Sequence, residues 1–298
     1  MAHLHWRDPG LVGRTRLGCR ALLIVIALVA CVPLYYVWRT LRLSNPWPKL
    51  FLRGVGRACG AKVRVVGTPL KREVFYISNH LSWLDIPVIA GRNGSAFVAQ
   101  DGIKSWPVVG WLCKLNDTVF VSRTNRLGIA GQINELRDAL AETWAITIFP
   151  EGTTTDGSTL LPFKSPLLQV LDPPPPGVLV QPMYLDYGDN AHDIAWVGEE
   201  TAPNNALRLF TRKGSFWVTL HFLEPFSPAD FPGRKAIAAE ARRRIDAALV
   251  LPWGANRLYS RCIHEPSHRY IHRARACPNR RRAQPLFRHL VRLPDECL

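Results

Sequence analysis

The chain has 298 residues, a formal net charge of +15 and a hydrophobic fraction of 47%. That apolar share excludes a generally disordered chain, and the length allows one sizeable domain with appendages. The charge suits nucleic acid or an anionic membrane as partner, but no nucleic-acid motif or aromatic-basic platform is present. The seven cysteines are odd in number and scattered, which fits a reducing compartment better than a disulfide framework.

Residues 21–38 are apolar or aromatic throughout and would extend about 27 Å as a helix at ~1.5 Å per residue. From 39 to 72 the chain carries Arg39, Arg42, Lys49, Arg53, Arg57, Lys62, Arg64, Lys71 and Arg72 and no acid. This pattern predicts a membrane anchor with a cytoplasmic C-terminal flank. Arg7, Arg14, Arg16 and Arg20 precede it, so charge leaves the orientation open, and a helix lying in one leaflet fits almost as well as a span. Leu28-Val29-Ala30-Cys31 resembles a lipoprotein cleavage site, but Val32 to Trp38 stay apolar where a processed lipoprotein would turn polar. Asn45 to Ala61, with Trp47, Leu50 and Phe51 among cations, predicts a short helical segment on the membrane surface.

Beyond it, strands are predicted at Lys62–Val66, Val74–Ile77, Ala96–Ala99, Val119–Val121, Ala145–Phe149, Val178–Tyr184 and Phe216–Leu223. Helices are predicted from Asp85 to Ala90, Trp106 to Leu115, Gly128 to Thr143 (Ile133, Leu136 and Leu140 inward) and Arg234 to Leu249. The alternation argues for an α/β domain whose central sheet is largely parallel and flanked by helices. From Gly254 the chain has ten Arg, no Lys and three acids, without an apolar period. The predicted organisation is an N-terminus and anchor over 1–44, the α/β domain over 45–253, and a poorly ordered tail over 254–298. Cys262, His264, His268 and His272 have the spacing of a metal site if helical, but a solvated or membrane-touching tail is the simpler reading.

Two segments carry chemistry. In Ser78-Asn79-His80-Leu81-Ser82-Trp83-Leu84-Asp85, His80 closes a strand and Asp85 opens a helix. Five positions is too far for one helix face, but a tight loop lets the carboxylate hold the imidazole in one tautomer while the other nitrogen takes a hydroxyl proton. Asp85 could equally cap its helix, with Pro87 in the first turn. In Ile146-Thr147-Ile148-Phe149-Pro150-Glu151-Gly152-Thr153-Thr154, the proline ends strand pairing and Gly152 permits a sharp turn or close approach. Glu151 is thereby presented at a strand end, where open α/β sheets place their sites.

Together and in this order, Asn79-His80-x4-Asp85 and Phe149-Pro150-Glu151-Gly152-Thr153 resemble the motifs of the glycerolipid acyltransferase family. Val119-Phe120-Val121-Ser122-Arg123 with Arg126 looks like its acceptor-binding block, and Val180-Gln181-Pro182-Met183 like its late strand ending in proline. The resemblance covers roughly residues 45 to 250. It implies transfer of a fatty acyl group from acyl-CoA or acyl carrier protein to the hydroxyl of a lysolipid, at the cytoplasmic face of the inner membrane. His80 would be the general base and Asp85 its orienting acid, with no metal, cofactor or covalent intermediate. Asn79, Glu151, Gly152, Thr153, Arg123 and Arg126 would contact the acceptor, with Lys104 and Lys164 secondary. Ser82 lacks a nucleophile-elbow context and reads as a loop serine.

Thr154 stands where many lysophosphatidate acyltransferases have arginine, and Asp117 where a glycine commonly precedes the acceptor block. Glu151 to Gly157 followed by Leu161-Pro162-Phe163-Lys164-Ser165 looks similar to the branch that acylates lyso-ornithine lipids. Lysophosphatidate is the first acceptor expected, as the commoner activity of the wider family, and lyso-ornithine lipid the second. An esterase using the same histidine on water is a more distant alternative.

Overall fold

A computed structural model of the chain describes residues 9–122, 129–143 and 145–250. Arg123, Arg126 and the Arg-rich tail lie outside the described residues.

Helix α1 (Gly10–Thr40) contains the whole apolar stretch and is long and apolar enough to cross a membrane, with a mean hydropathy of 2.5 in its most apolar window. After a turn pinned by Asn45, whose Nδ2 donates to Tyr35 O at 3.0 Å, α2 (Trp47–Ala58) runs back along it. The contacts fix an antiparallel hairpin. The Trp38 and Trp47 rings meet edge to face at 5.4 Å. A Cβ on Gly54 would stand 3.6 Å from Ala27, and one on Gly60 3.6 Å from the Arg20 guanidinium. Both ends of the apolar stretch therefore touch the rest of the protein.

Strands β1 (Ala61–Val66), β2 (Val74–Ser78), β3 (Ala96–Gln100), β4 (Val119–Val121), β5 (Ala145–Ile148), β6 (Leu179–Asp186) and β7 (Phe216–Phe222) form one sheet in the order β1-β7-β6-β2-β5-β3-β4. Among the described residues, β6–β7 is antiparallel and the other pairings are parallel. The largely parallel sheet expected from the alternation is present, with β1 and β7 reversed at one edge. Central β2 is fully covered on both faces. Phe75 and Ile77 join the core beneath α5 (Ile129–Thr143) and α8 (Gly233–Val250), with Leu136, Leu140, Ile237 and Ile245. Val74 and Tyr76 face the opposite core with Leu84, Val88 and Ile89 of the α3 region (Asp85–Asn93) and Leu209 of α7 (Ala202–Thr211). A strand buried on both faces reads as a continuous apolar run, which is why Val74-Phe75-Tyr76-Ile77 stood out.

The remaining helices are α4 (Pro107–Leu115) and the short α6 (Ala191–Ile194). The segment from Tyr187 to Thr211, with α6 and α7, lies outside the helices expected above, although α7 is amphipathic and opens on Thr201, whose hydroxyl accepts from Asn204 N. It folds back over the ends of β2 and β6 and shapes the site.

Candidate active site

β2 and β5 are neighbours in parallel register, with Ile77 opposite Ile148. His80 and Glu151 each follow that pair by three residues, so two motifs 71 positions apart emerge side by side. This is the carboxyl end of a parallel pair, where α/β sheets expose loop side chains.

The loop after β2 is held from all sides. Asn79 continues the strand pairing with its side chain, as Nδ2 donates to Leu185 O at 3.0 Å and Oδ1 accepts from Leu185 N at 2.7 Å. His80 N donates to Glu151 Oε1 at 3.0 Å, and His80 O accepts from Thr155 N at 2.8 Å. Leu81 O accepts from Trp196 N at 2.8 Å. Few backbone groups are left to relax, so the imidazole position is set by neighbours on three other segments.

The His80 Nδ1 to Asp85 Oδ2 distance is 2.8 Å, with Asp85 fully buried and the His80 side chain 18% exposed. Asp85 is the first residue of α3, and its carboxylate turns back to the loop instead of capping its own helix. Oδ2 also accepts from Leu81 N at 2.7 Å and Ser82 N at 3.0 Å, and Oδ1 accepts from the Tyr187 hydroxyl at 2.7 Å. Four donors compensate a buried carboxylate. With Nδ1 engaged, the ring presents Nε2 outward as the nitrogen open to a substrate. One ring face stacks on Phe149 at 3.9 Å and 9°, and Phe149 stacks on Phe97 at 5.7 Å. The imidazole thus has a fixed plane as well as a fixed tautomer.

Two residues expected to touch substrate are instead engaged by the protein. Asn79 spends both polar atoms on Leu185. Glu151 is 1% exposed, with Oε1 on His80 N and Oε2 accepting from Leu161 N at 2.9 Å. It braces the His80 loop against the 160s loop, with both oxygens engaged by backbone amides. Burial pushes its carboxyl above the usual range, against the amide bonds from Leu161 and His80 that favour the charged form. Gly152 has φ +69°, and a Cβ there would lie 2.9 Å from Lys164 Nζ. The glycine therefore admits the lysine to the rim of the site, beside exposed Thr153. Lys104 lies farther off, after β3, two places from β2 in the sheet, with its ammonium 6.0 Å from the Phe120 ring. Thr154 bonds Trp196 O with its hydroxyl, which ties the motif loop to the 190s segment.

Sequence reasoning missed Tyr187, Thr155 and Trp196. The one available signal for Tyr187 was the strand pattern of β6, which runs past Tyr184 to Asp186 and delivers this tyrosine to the mouth of the sheet.

A histidine held on a buried carboxylate, at the carboxyl ends of a mainly parallel sheet, is an arrangement with the chemistry for general base catalysis. The Acyltransferase family model matches residues 62–186. A lyso-ornithine lipid O-acyltransferase of Brucella abortus is 32% identical over 77% of this chain and 94% of its own length. A 1-acyl-sn-glycerol-3-phosphate acyltransferase of Neisseria gonorrhoeae is 38% identical over 35% of this chain and 42% of its own. The crystal structure of the 1-acyl-sn-glycerophosphate acyltransferase of Thermotoga maritima superimposes with a TM-score of 0.59 over 81% of this chain and 96% of that one. At 20% identity it shares the fold. The chain belongs to the acyltransferase family, and the protein is an acyltransferase.

Proposed function

We propose that the protein is a membrane-bound O-acyltransferase that moves a fatty acyl group from a thioester donor, acyl-CoA or acyl carrier protein, to the free hydroxyl of a lyso-ornithine lipid. The 2.8 Å His80–Asp85 pair with Nε2 open to substrate is the observation that carries the chemistry. The acceptor hydroxyl gives its proton to His80 Nε2 as its oxygen attacks the thioester carbonyl carbon. Asp85 stabilises the imidazolium that forms, and the base contributes roughly 10²–10⁴-fold. Backbone amides of the 152–155 loop are the candidate donors to the tetrahedral oxyanion. The intermediate then expels the thiolate, which takes the proton back from His80 and leaves as a thiol. A thiolate departs readily, so this route calls for no cofactor, metal or acyl-enzyme.

Two observations favour lyso-ornithine lipid over lysophosphatidate, reversing the order expected from the commoner activity of the wider family. The Brucella abortus relative, which this chain covers almost end to end, bears that name. Thr154, in the position of a phosphate-binding arginine, commits its hydroxyl to Trp196 O. Lys164, at the rim beside Gly152, is available for a carboxylate or phosphate alike; Arg123 and Arg126 remain candidate acceptor contacts by resemblance. The α1–α2 hairpin favours insertion into one leaflet at the cytoplasmic face of the inner membrane. Arg20, at the start of the apolar stretch, donates to Leu209 O at 2.6 Å and Gly214 O at 3.0 Å, which holds that end on the same side as the catalytic loops. A donor-acceptor matrix with purified protein tests the reading. Diacylated ornithine lipid from wild type and none from His80→Ala is expected. Exclusive acylation of lysophosphatidate would overturn the acceptor, and release of free fatty acid without diacyl product would overturn the transferase.

A further inference from the structure

On the side of α3 that faces α2 lies a half-open pocket of about 240 Å³ that takes no part in the chemistry above. Four cations converge on it: Arg53 and Arg57 from α2, Lys62 from β1 and Arg92 from α3. No lining residue is acidic. The close approach is built in, since a Cβ on Gly91 would stand 2.7 Å from Arg53 Cα. Arg92 is aimed by its Nη2, which donates to Val63 O at 2.9 Å. The Nε groups of both Arg53 and Arg92 are buried without a hydrogen-bond partner among the described residues. Buried guanidinium donors left unmade are costly, and like charges around one hollow repel, so the arrangement is incomplete without an anion. Burial, then the neighbouring Arg53 and Arg57, hold Arg92 below its ordinary pKa.

The surroundings say which anion. Arg53 is one position from Gly54, where α2 crosses Ala27 of α1. On that stretch of α1, Leu22, Leu23, Ile26 and Val29 are more than half exposed, at 59%, 55%, 55% and 66%. An apolar helix surface flanked by cations belongs at the acyl–headgroup boundary, which sets the cations at the depth of lipid phosphates. Arginine forks match phosphate oxygens bidentately, which a diffuse lysine field does not. We infer that this pocket seats the phosphate of an anionic membrane phospholipid and so docks the enzyme on the bilayer in one orientation, separately from the lipid being acylated.

Flotation of the full-length protein with phosphatidylcholine vesicles, alone or doped with phosphatidylglycerol or with oleate to equal surface charge, tests this. Wild type is expected to bind the phosphatidylglycerol vesicles most tightly. Arg53→Gln should lose roughly fivefold of that preference, and the Arg53→Gln/Arg92→Gln double variant roughly 25-fold, at about 1 kcal/mol per cation near an anionic surface. Lys71→Gln/Arg72→Gln removes the same charge outside the pocket and should lose clearly less. Acyl transfer to detergent-dispersed acceptor should be unchanged in Arg53→Gln, which shows that the variant folds and separates this inference from the acceptor assignment. Equal losses in the two double variants, or equal binding to oleate and phosphatidylglycerol vesicles, would overturn the site. If inorganic phosphate raised the melting temperature of wild type but not of Arg53→Gln, while vesicles showed no phosphatidylglycerol preference, the pocket would serve a soluble phosphate and the lipid assignment would fall.

Discussion

Tyr187→Phe removes one oxygen and isolates what the tertiary structure adds to the His80–Asp85 pair. The lost bond is the 2.7 Å donation to Asp85 Oδ1, between a fully buried carboxylate and a nearly fully buried phenol. Hydrogen bonds to charged groups contribute about 1.5–3 kcal/mol, and here Oδ1 would lose its donor. At about 2 kcal/mol, the melting temperature should fall by roughly 4–8 °C for a domain of this size. Oδ2 keeps its bonds to His80, Leu81 and Ser82, so transfer at neutral pH should fall by less than about tenfold, well short of the loss of the base itself. A pH signature accompanies the change. Burial, then the charge of Asp85, hold the Tyr187 phenol well above its ordinary value of 10.0. The unfolded chain therefore releases this proton first, and the folded state binds more protons in alkali. Stability contributed by the phenol is complete below about pH 10 and declines as pH rises further. The stability gap between wild type and Tyr187→Phe should be constant near neutrality and narrow above about pH 10, with buried Tyr76 and half-buried Tyr184 acting alike in both proteins. Chemical denaturation across pH, beside steady-state kinetics, measures both effects. Unchanged melting would refute the Tyr187–Asp85 bond. Activity as low as in His80→Ala would mean that the phenol itself takes part in the reaction.

Other substitutions separate positioning from contact. Asp85→Asn should lower turnover by roughly 10²–10⁴-fold with membrane association intact, read as kcat in a vesicle assay. Glu151→Gln replaces one acceptor oxygen with an amide donor facing a backbone N–H. It should reduce kcat by roughly 10–100-fold for a lost 1–3 kcal/mol while leaving acceptor KM nearly unchanged; a raised KM with kcat intact would restore Glu151 to the acceptor head group. Asn79→Ala should destabilise the fold by about 1–3 kcal/mol through the orphaned Leu185 amide, visible as a shifted urea midpoint with unchanged slope. Gly157 has φ +82°, and an added Cβ would meet Leu81 Cδ2 at 2.7 Å. Gly157→Ala should therefore disturb the His80 loop and lower kcat more than donor KM.

The strands, the helices from Asp85 to Thr143 and α8 were legible because burial imposes a period, and β2 and β5 were legible as unbroken apolar runs. Both motif loops were legible because proline, glycine and acid end those strands in an ordered pattern. The reversal of β1 and β7 was not, since strand direction leaves no trace in a local apolar period. Nor were α6 and α7: the turn about Trp196 that separates them is held by a distant segment, through Trp196 N to Leu81 O. Motif resemblance could nominate Glu151 and Asn79 as functional but not say how, because the partners of a buried carboxylate or amide lie elsewhere in the chain.

Local chemistry along the chain was enough to specify that a histidine and an aspartate would emerge from a strand-to-helix loop beside an apolar N-terminal helix, because strand ends, helix starts and apolar length are encoded within a few residues. Which groups hold that aspartate, what Glu151 braces and how four cations come to share one hollow were decided by packing. The Tyr187–Asp85 and His80–Glu151 bonds join residues 102 and 71 positions apart, and the four cations come from two helices and a strand, so only the folded sheet brings them together.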